Sequence, residues 1–375
     1  ICACLVGSEM CIRDRSYIIQ IKRKINNILK SEGALKMNKS IAYIGTYTNG
    51  ASEGIYRLCL DTDKGNIEDL SLVARFGNPT YLCIHNNKLY TVGNPFSLDT
   101  LGGVASYNIE EDYSLKLTGA SLLQGKKPCH INIIPDKSLI VSSNYHEKSI
   151  NTYSLNENFD IDTSLSSFSH KDDSKMHFAS ITPDNKFICA VNLGMDRIEL
   201  FKINSNNTLN YIENLSFYCT KGCGPRHIEF SKNGKFAYVI CENSSEIIIL
   251  KYLGEEGFKL VQYIHVLPNG FGGQNFGSAI KISPCNKFLY VSNRGFNGIS
   301  AFKINEETGS LSLINHYSSH GDFPRDFEIS PCNKFLIIAN EKSDNLTIYL
   351  KNPDGTLKLL KNDIFIPSPT CIKFK

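Results

Sequence analysis

No apolar run in the sequence approaches the roughly 20 residues that cross a bilayer. The longest, such as Ile247-Ile248-Ile249-Leu250, have the length of a strand, so no membrane partner is expected. A disulfide framework is missing too. The 13 cysteines are an odd number without regular spacing, and Cys83, Cys189 and Cys241 sit inside apolar runs, where a reduced thiol behaves as a small core residue. That usage points to a reducing cytoplasm. Excess basic charge is absent from the body of the chain. The formal +3 arises in residues 1–36, which carry 7 Lys or Arg against 3 Asp or Glu; the remainder has 33 against 34. A nucleic-acid partner finds no support in that balance. Apolar residues at helical spacing are nearly absent, which excludes an α/β fold with its helix between successive strands. Tryptophan is absent, but 18 Tyr, 21 Phe and a 42% apolar fraction supply a core and exclude a disordered chain.

What the sequence does contain is a repeat. Seven lysines each introduce an apolar run: Lys39, Lys88, Lys137, Lys186, Lys235, Lys287 and Lys334. Their separations are 49, 49, 49, 49, 52 and 47 residues. Each run is followed by an alternating stretch such as GVASYNI, RIELFKI or GISAFKI, the period-2 pattern of a strand. A third stretch follows, for example Leu115 to Leu123, Leu209 to Cys219, Phe258 to Leu267 and Leu357 to Ile366. A short strand precedes each lysine after the first: NPTYLCI, KPCHINI, KMHFASI, GPRHIEF, FGSAIKI and FPRDFEI. Four antiparallel strands at this period predict an all-β, seven-bladed β-propeller over residues 37–375. The first unit lacks its short strand, yet the chain ends in SPTCIKF (368–374), a close match to NPTYLCI. The C-terminal strand is therefore expected to close the N-terminal blade.

Residues 1–36 stand outside the repeat. Cys4 to Arg15 (CLVGSEMCIRDR) resembles translated sequencing-adapter read-through, and Glu32-Gly33-Ala34 back-translates to a ribosome-binding site ahead of Met37. This segment is expected to be a non-native or disordered extension, with the native start at Met37.

In a propeller the short strands line the axis, so their chemistry converges. Their heads carry Cys129-His130, Met176-His177, Arg226-His227 and Arg325-Asp326. The turns after the second strands add Asn144-Tyr145, Asn192, Glu242-Asn243, Asn293-Arg294 and Asn340-Glu341. Strand packing does not need Arg, His and Glu converging on an axis; a site does. Arg325 and Asp326 can alternatively form a structural ion pair, and Glu242 can pair with an arginine across the channel.

The segments GPRH (224–227), SAIKISPCNKFLYVSNRG (278–295), FPRDFEISPCNKFLIIAN (323–340) and IAYIGTYTNG (41–50) resemble the seven-bladed lactonase family. The resemblance runs from Met37 to Lys375. It implies a cofactor-free lactone hydrolase without a metal, acting on a small-molecule lactone, first of all a phosphorylated sugar lactone of the pentose phosphate pathway. By motif it implies a catalytic set of His177, Glu242, Arg226 and Arg294. His130, His227, Asn144, Asn293 and Arg325 are read as substrate contacts. Two departures from the family pattern stand out: Lys175 replaces the first histidine of a His-x-His segment, and Asn192 replaces an aspartate. His177 or Glu242 is read as the base, and the arginines as holders of an oxyanion or an anionic group. Alternatives are another carboxylated lactone as substrate, and a non-catalytic propeller that binds an anion or a protein. A monomer or weak homo-oligomer is expected. Cys219, Cys223 and His227 have a zinc-like spacing without an evident fourth ligand, and GFGGQNFG (270–277) precedes a strand rather than a phosphate-binding helix.

Overall fold

The computed structural model describes residues 38–94, 100–170, 173–205 and 207–375. The expected N-terminal extension lies outside them. The described strands form seven antiparallel sheets, which we number as blades 1 to 7 in chain order. The innermost strands of blades 2 to 7 are Leu82–His85, His130–Ile134, Met176–Ile181, Pro225–Phe230, Phe276–Ile282 and Pro324–Ile329. Blade 1 is built from Lys39–Thr46, Gly54–Asp61 and Ile67–Arg75, and its innermost strand is the C-terminal Pro369–Phe374. Ala42 pairs with Phe374, Ile44 with Ile372 and Gly45 with Cys371, so the ends of the propeller sequence meet in one sheet.

The lysine ladder has a local cause. In blades 4 to 7 the hairpin from the innermost to the second strand is a tight turn. Asn185, Gly234, Asn286 and Asn333 hold left-handed φ of 59°, 69°, 60° and 60°, which Asn and Gly tolerate best. The ladder lysine follows directly. Thr182, Ser231, Ser283 and Ser330 close the same turns, each hydroxyl oxygen accepting the amide of Phe187, Phe236, Phe288 or Phe335 at 3.0–3.1 Å. The phenylalanine is then driven into the neighbouring blade. Gly309 (φ 75°) lies against Phe236 so closely that a Cβ there would sit 2.3 Å from the ring.

Apolar packing is distributed between blades rather than gathered in one centre. Blades 4 and 5 share a cluster around Phe187, Val191, Ala237 and Ile248, and blades 7 and 1 share one around Ile337, Ile348, Ala42 and Ile372. One expectation fails in blade 4. The stretch from Leu209 to Cys219 is two short strands, Leu209–Tyr211 and Phe217–Tyr218, split by a 3-10 turn at Glu213–Leu215. Leu215 and Phe217 turn inward there to pack on the cluster between blades 4 and 5.

Closure predicts a cooperative dependence on the last strand. Deleting residues 368–375 uncovers the edge Lys39–Thr46 and empties the fully buried positions of Cys371 and Ile372. Thermal unfolding by circular dichroism is expected to lose its single sharp transition. An unchanged melting curve contradicts the closure.

Candidate active site

The third residue of each innermost repeat, in ring order from blade 1, is Thr370, Thr80, Cys129, His177, Arg226, Ser278 and Arg325. Several of these side chains run along the circumference of the channel. Thr370 Oγ1 donates to Thr80 O (3.1 Å), Arg226 Nη1 to Ser278 O (2.9 Å) and Ser278 Oγ to Arg325 O (2.7 Å). Cys129 Sγ reaches His177 O at 3.6 Å. Each donor bonds the carbonyl of its counterpart in the next blade. His177 Nδ1, by contrast, is buried and has no such partner.

Next to this ring lies a cavity of about 280 Å³, lined among others by His177, Glu242, Arg294 and Arg325. Glu242 is the central group. Its Oε2 accepts from Arg294 Nη2 at 2.6 Å and lies 3.1 Å from Arg226 Nε, a contact of charges off the N–H axis. Its Oε1 has no hydrogen bond among the described residues. Arg294 is fixed further by Gly277 O (3.1 Å) and by the faces of Phe323 and Phe276, with ring centroids 5.1 and 5.8 Å away. Arg325 Nη1 meets Glu341 Oε2 at 3.3 Å, and its guanidinium lies over Tyr47. Three arginines thus face two glutamates, and Lys127 adds a further cation to the lining.

The electrostatics follow from that surplus. Burial would raise the Glu242 carboxyl, but Arg294 and then Arg226 hold it below the usual carboxylate range. Burial, reinforced by Arg226, Arg325 and Arg294, pushes His177 well below 6.5, so its imidazole is neutral at pH 7. Burial with Arg294 and Arg325 lowers Arg226 to about 9, which leaves the guanidinium charged at pH 7. Cys129 also lines the cavity, but burial raises its thiol to about 11, and its sulfur is spent on backbone carbonyls. It is an inert thiol rather than a nucleophile.

The other sequence candidates fall elsewhere. Arg226 sits behind Glu242 and does not line the cavity. His130 and His227 are one residue deeper along their strands, in an aromatic layer with Tyr81 and Phe178; His130 lies 4.4 Å from Tyr81 and 4.0 Å from Phe178. His227 Nε2 touches Arg226 Nη1 at 3.2 Å and supports the site from below. Asn144 and Asn293 do not line the cavity. Asn144 ties Lys126 O and the amides of His146 and Glu147; Asn293 bonds Ser300 and Asn275. Asn192 and Asn340 do the same work in their blades, so the repeated asparagine is a strap between turn and strand. Asp326 does not pair with Arg325, whose partner is Glu341; its Oδ2 accepts Ile372 N instead. Cys223 packs in the core between blades 4 and 5, and among the described residues no group of three His, Cys, Asp or Glu is placed to hold a metal. Sequence reasoning passed over Tyr47, Thr80, Lys127 and His146, all of which line the cavity.

An ionised, immobilised carboxylate beside a cationic wall can orient a water and stabilise the oxyanion that its attack creates. Known proteins share this architecture. Residues 41–374 match the family model described as lactonase, 7-bladed beta-propeller. A 6-phosphogluconolactonase of Bacillus subtilis is 34% identical over 90% of this chain and 99% of its own. A protein from Lactobacillus plantarum superposes with a TM-score of 0.84 at 30% identity, covering 90% of this chain and 99% of that one. The periplasmic gluconolactonase of Pseudomonas aeruginosa gives 0.85 at 25% identity, with coverage of 90% and 99%. With its blades, closure and cationic mouth, the chain belongs to the seven-bladed β-propeller lactonase family and is a lactone hydrolase.

Proposed function

We propose that the substrate is 6-phosphogluconolactone and the product 6-phosphogluconate, so that the enzyme serves the pentose phosphate pathway. The observation that supports a phosphorylated substrate is the surplus of cations at the cavity, with Lys127 in its wall and Lys175 Nζ 5.4 Å over the ring of Tyr145. Phosphate adds a charge of about −1.5 to −2 to the substrate, which suits this surplus. Cysteines without a disulfide among the described residues, together with this substrate class, support a cytoplasmic reaction.

In this reading Glu242 Oε1 accepts a proton from water as the water oxygen bonds to the lactone carbonyl carbon. The carbonyl oxygen becomes an oxyanion against the Arg294 and Arg325 guanidiniums. Collapse breaks the ring C–O bond, and the proton moves to the departing ring oxygen, which leaves as a hydroxyl. The new carboxylic acid releases one proton to solvent. Neutral His177 supplies a hydrogen bond beside the reacting ring without adding charge to an already cationic site. δ-Lactones of this kind also open unaided, so the protein needs to add only a modest stabilisation.

Two measurements test the proposal. Purified protein is expected to hydrolyse 6-phosphogluconolactone well above the spontaneous rate, with a higher kcat/KM than for glucono-δ-lactone. Lys175→Met should raise KM about fivefold for the phosphorylated substrate only, whereas Arg226→Ala, which removes one of the two cations that hold Glu242, should cut kcat for both by about 10². Rates at the uncatalysed background, or an Arg226→Ala protein with full activity, defeat the reading in favour of a binding propeller. The second measurement is a pH profile with uncharged glucono-δ-lactone. Glu242 is depressed, so its ionised form persists above its folded pKa and is lost only as pH falls through a value below 4.5. Background-corrected kcat/KM should stay flat from neutrality down to that range. A loss centred near pH 6.5 would instead mark an ordinary histidine base.

A further inference from the structure

Beyond the aromatic layer, the channel carries a second polar ring that the catalytic site does not use. At the sixth position of the innermost repeats stand Lys373, Cys83, Asn132, Ser180, Glu229, Lys281 and Glu328, three residues past the catalytic ring and therefore about 10 Å along the channel. Here lies a cavity of about 260 Å³. Tyr81, His130 and Phe178 line one side of it, and its polar walls are Lys281, Lys373, Asn132 and Glu229.

The charges in this cavity are unevenly matched. Lys281 Nζ and Lys373 Nζ share one carboxylate oxygen, Glu328 Oε2, at 3.2 and 3.5 Å. Glu328 does not line the cavity, whereas both lysines do, so the ammoniums retain N–H donors for an occupant. Asn132 Oδ1 is taken by Ile133 N and Cys83 Sγ, which leaves its Nδ2 as a third donor. Glu229 makes no hydrogen bond or ion pair among the described residues. Two ammoniums thus share a single carboxylate oxygen and keep donors that face the cavity, an arrangement that suits one bridging carboxylate.

We propose that this distal cavity binds a small hydroxycarboxylate, its carboxylate bridging Lys281 and Lys373 and a hydroxyl pairing with the Glu229 carboxyl. The aromatic side takes the carbon skeleton. The site shares no residue with the catalytic cavity and stands whether or not the substrate assigned above is right. Binding is coupled to proton uptake. Burial drives Glu229 up to about 7, against the pull of Lys281 and Lys373 and with help from Glu328 and Asp326. Tyr81, His130 and Cys83 complete the groups around the cavity, and burial keeps His130 neutral. An ionised Glu229 would repel a carboxylate bound to the same lysines, so the anion selects the protonated form.

Sodium D-gluconate is the probe, titrated calorimetrically into Arg294→Ala protein so that the catalytic cavity does not compete for it. Binding is expected at about pH 6 and should weaken towards tenfold per pH unit above about 7. Lys373→Met should abolish it while lactonase turnover in an otherwise wild-type background confirms folding. Glu229→Gln, nearly isosteric, should bind gluconate with no pH dependence between about 6 and 8. Absence of binding at about pH 6, undiminished binding by Lys373→Met, or a Glu229→Gln protein with the wild-type pH dependence overturns the proposal.

Discussion

The pairing of Pro369–Phe374 with Lys39–Thr46 is the constraint on which the rest depends. It turns seven separate hairpin sheets into a ring, and a ring has an axis on which equivalent positions meet. Around that axis the third residues of the innermost strands link one blade to the next, through Thr370, Arg226 and Ser278 to neighbouring carbonyls. Side-chain chemistry therefore serves two purposes at once: some members of the ring hold the blades in register, and others face the cavity beside it.

The site inherits its properties from this arrangement. Arg226 anchors to the next blade through Nη1 and presents Nε to Glu242, while Arg294 reaches the same oxygen from blade 6. One carboxylate thus spans two blades and is kept ionised and still. A pair buried this way contributes little net stability, because desolvation offsets much of the attraction. Its value is chemical: an oriented anion in a cationic wall, beside a histidine that burial and the neighbouring arginines keep uncharged.

The fold was legible because the repeat encodes its own turns. A left-handed Asn or Gly, a ladder lysine and a buried phenylalanine recur wherever the innermost hairpin is built this way, and SPTCIKF matches the missing first strand. His177, Glu242, Arg294 and Arg325 were legible as the places where copies of the repeat disagree. Asn144 and Asn293 misled for the opposite reason. They recur from blade to blade, and what recurs in a propeller is architecture, here a strap between turn and strand. The pairing of Arg325 with Glu341 rather than Asp326 was hidden because neighbours on a strand point apart, while partners from separate strands meet only in space. Tyr47, Lys127 and His146 come from loops around the mouth, whose course no strand pattern fixes.

The claim at the centre of this account is that the free oxygen of Glu242 activates water while the other oxygen is held by two arginines. Glu242→Gln preserves the size of the side chain and an acceptor for Arg294, but removes the basic oxygen. Steady-state hydrolysis of a sugar lactone by this variant tests the claim most directly. The account predicts that kcat falls by about 10²–10⁴ while KM changes only a few-fold. A variant whose kcat stays within about threefold of the parent would contradict it.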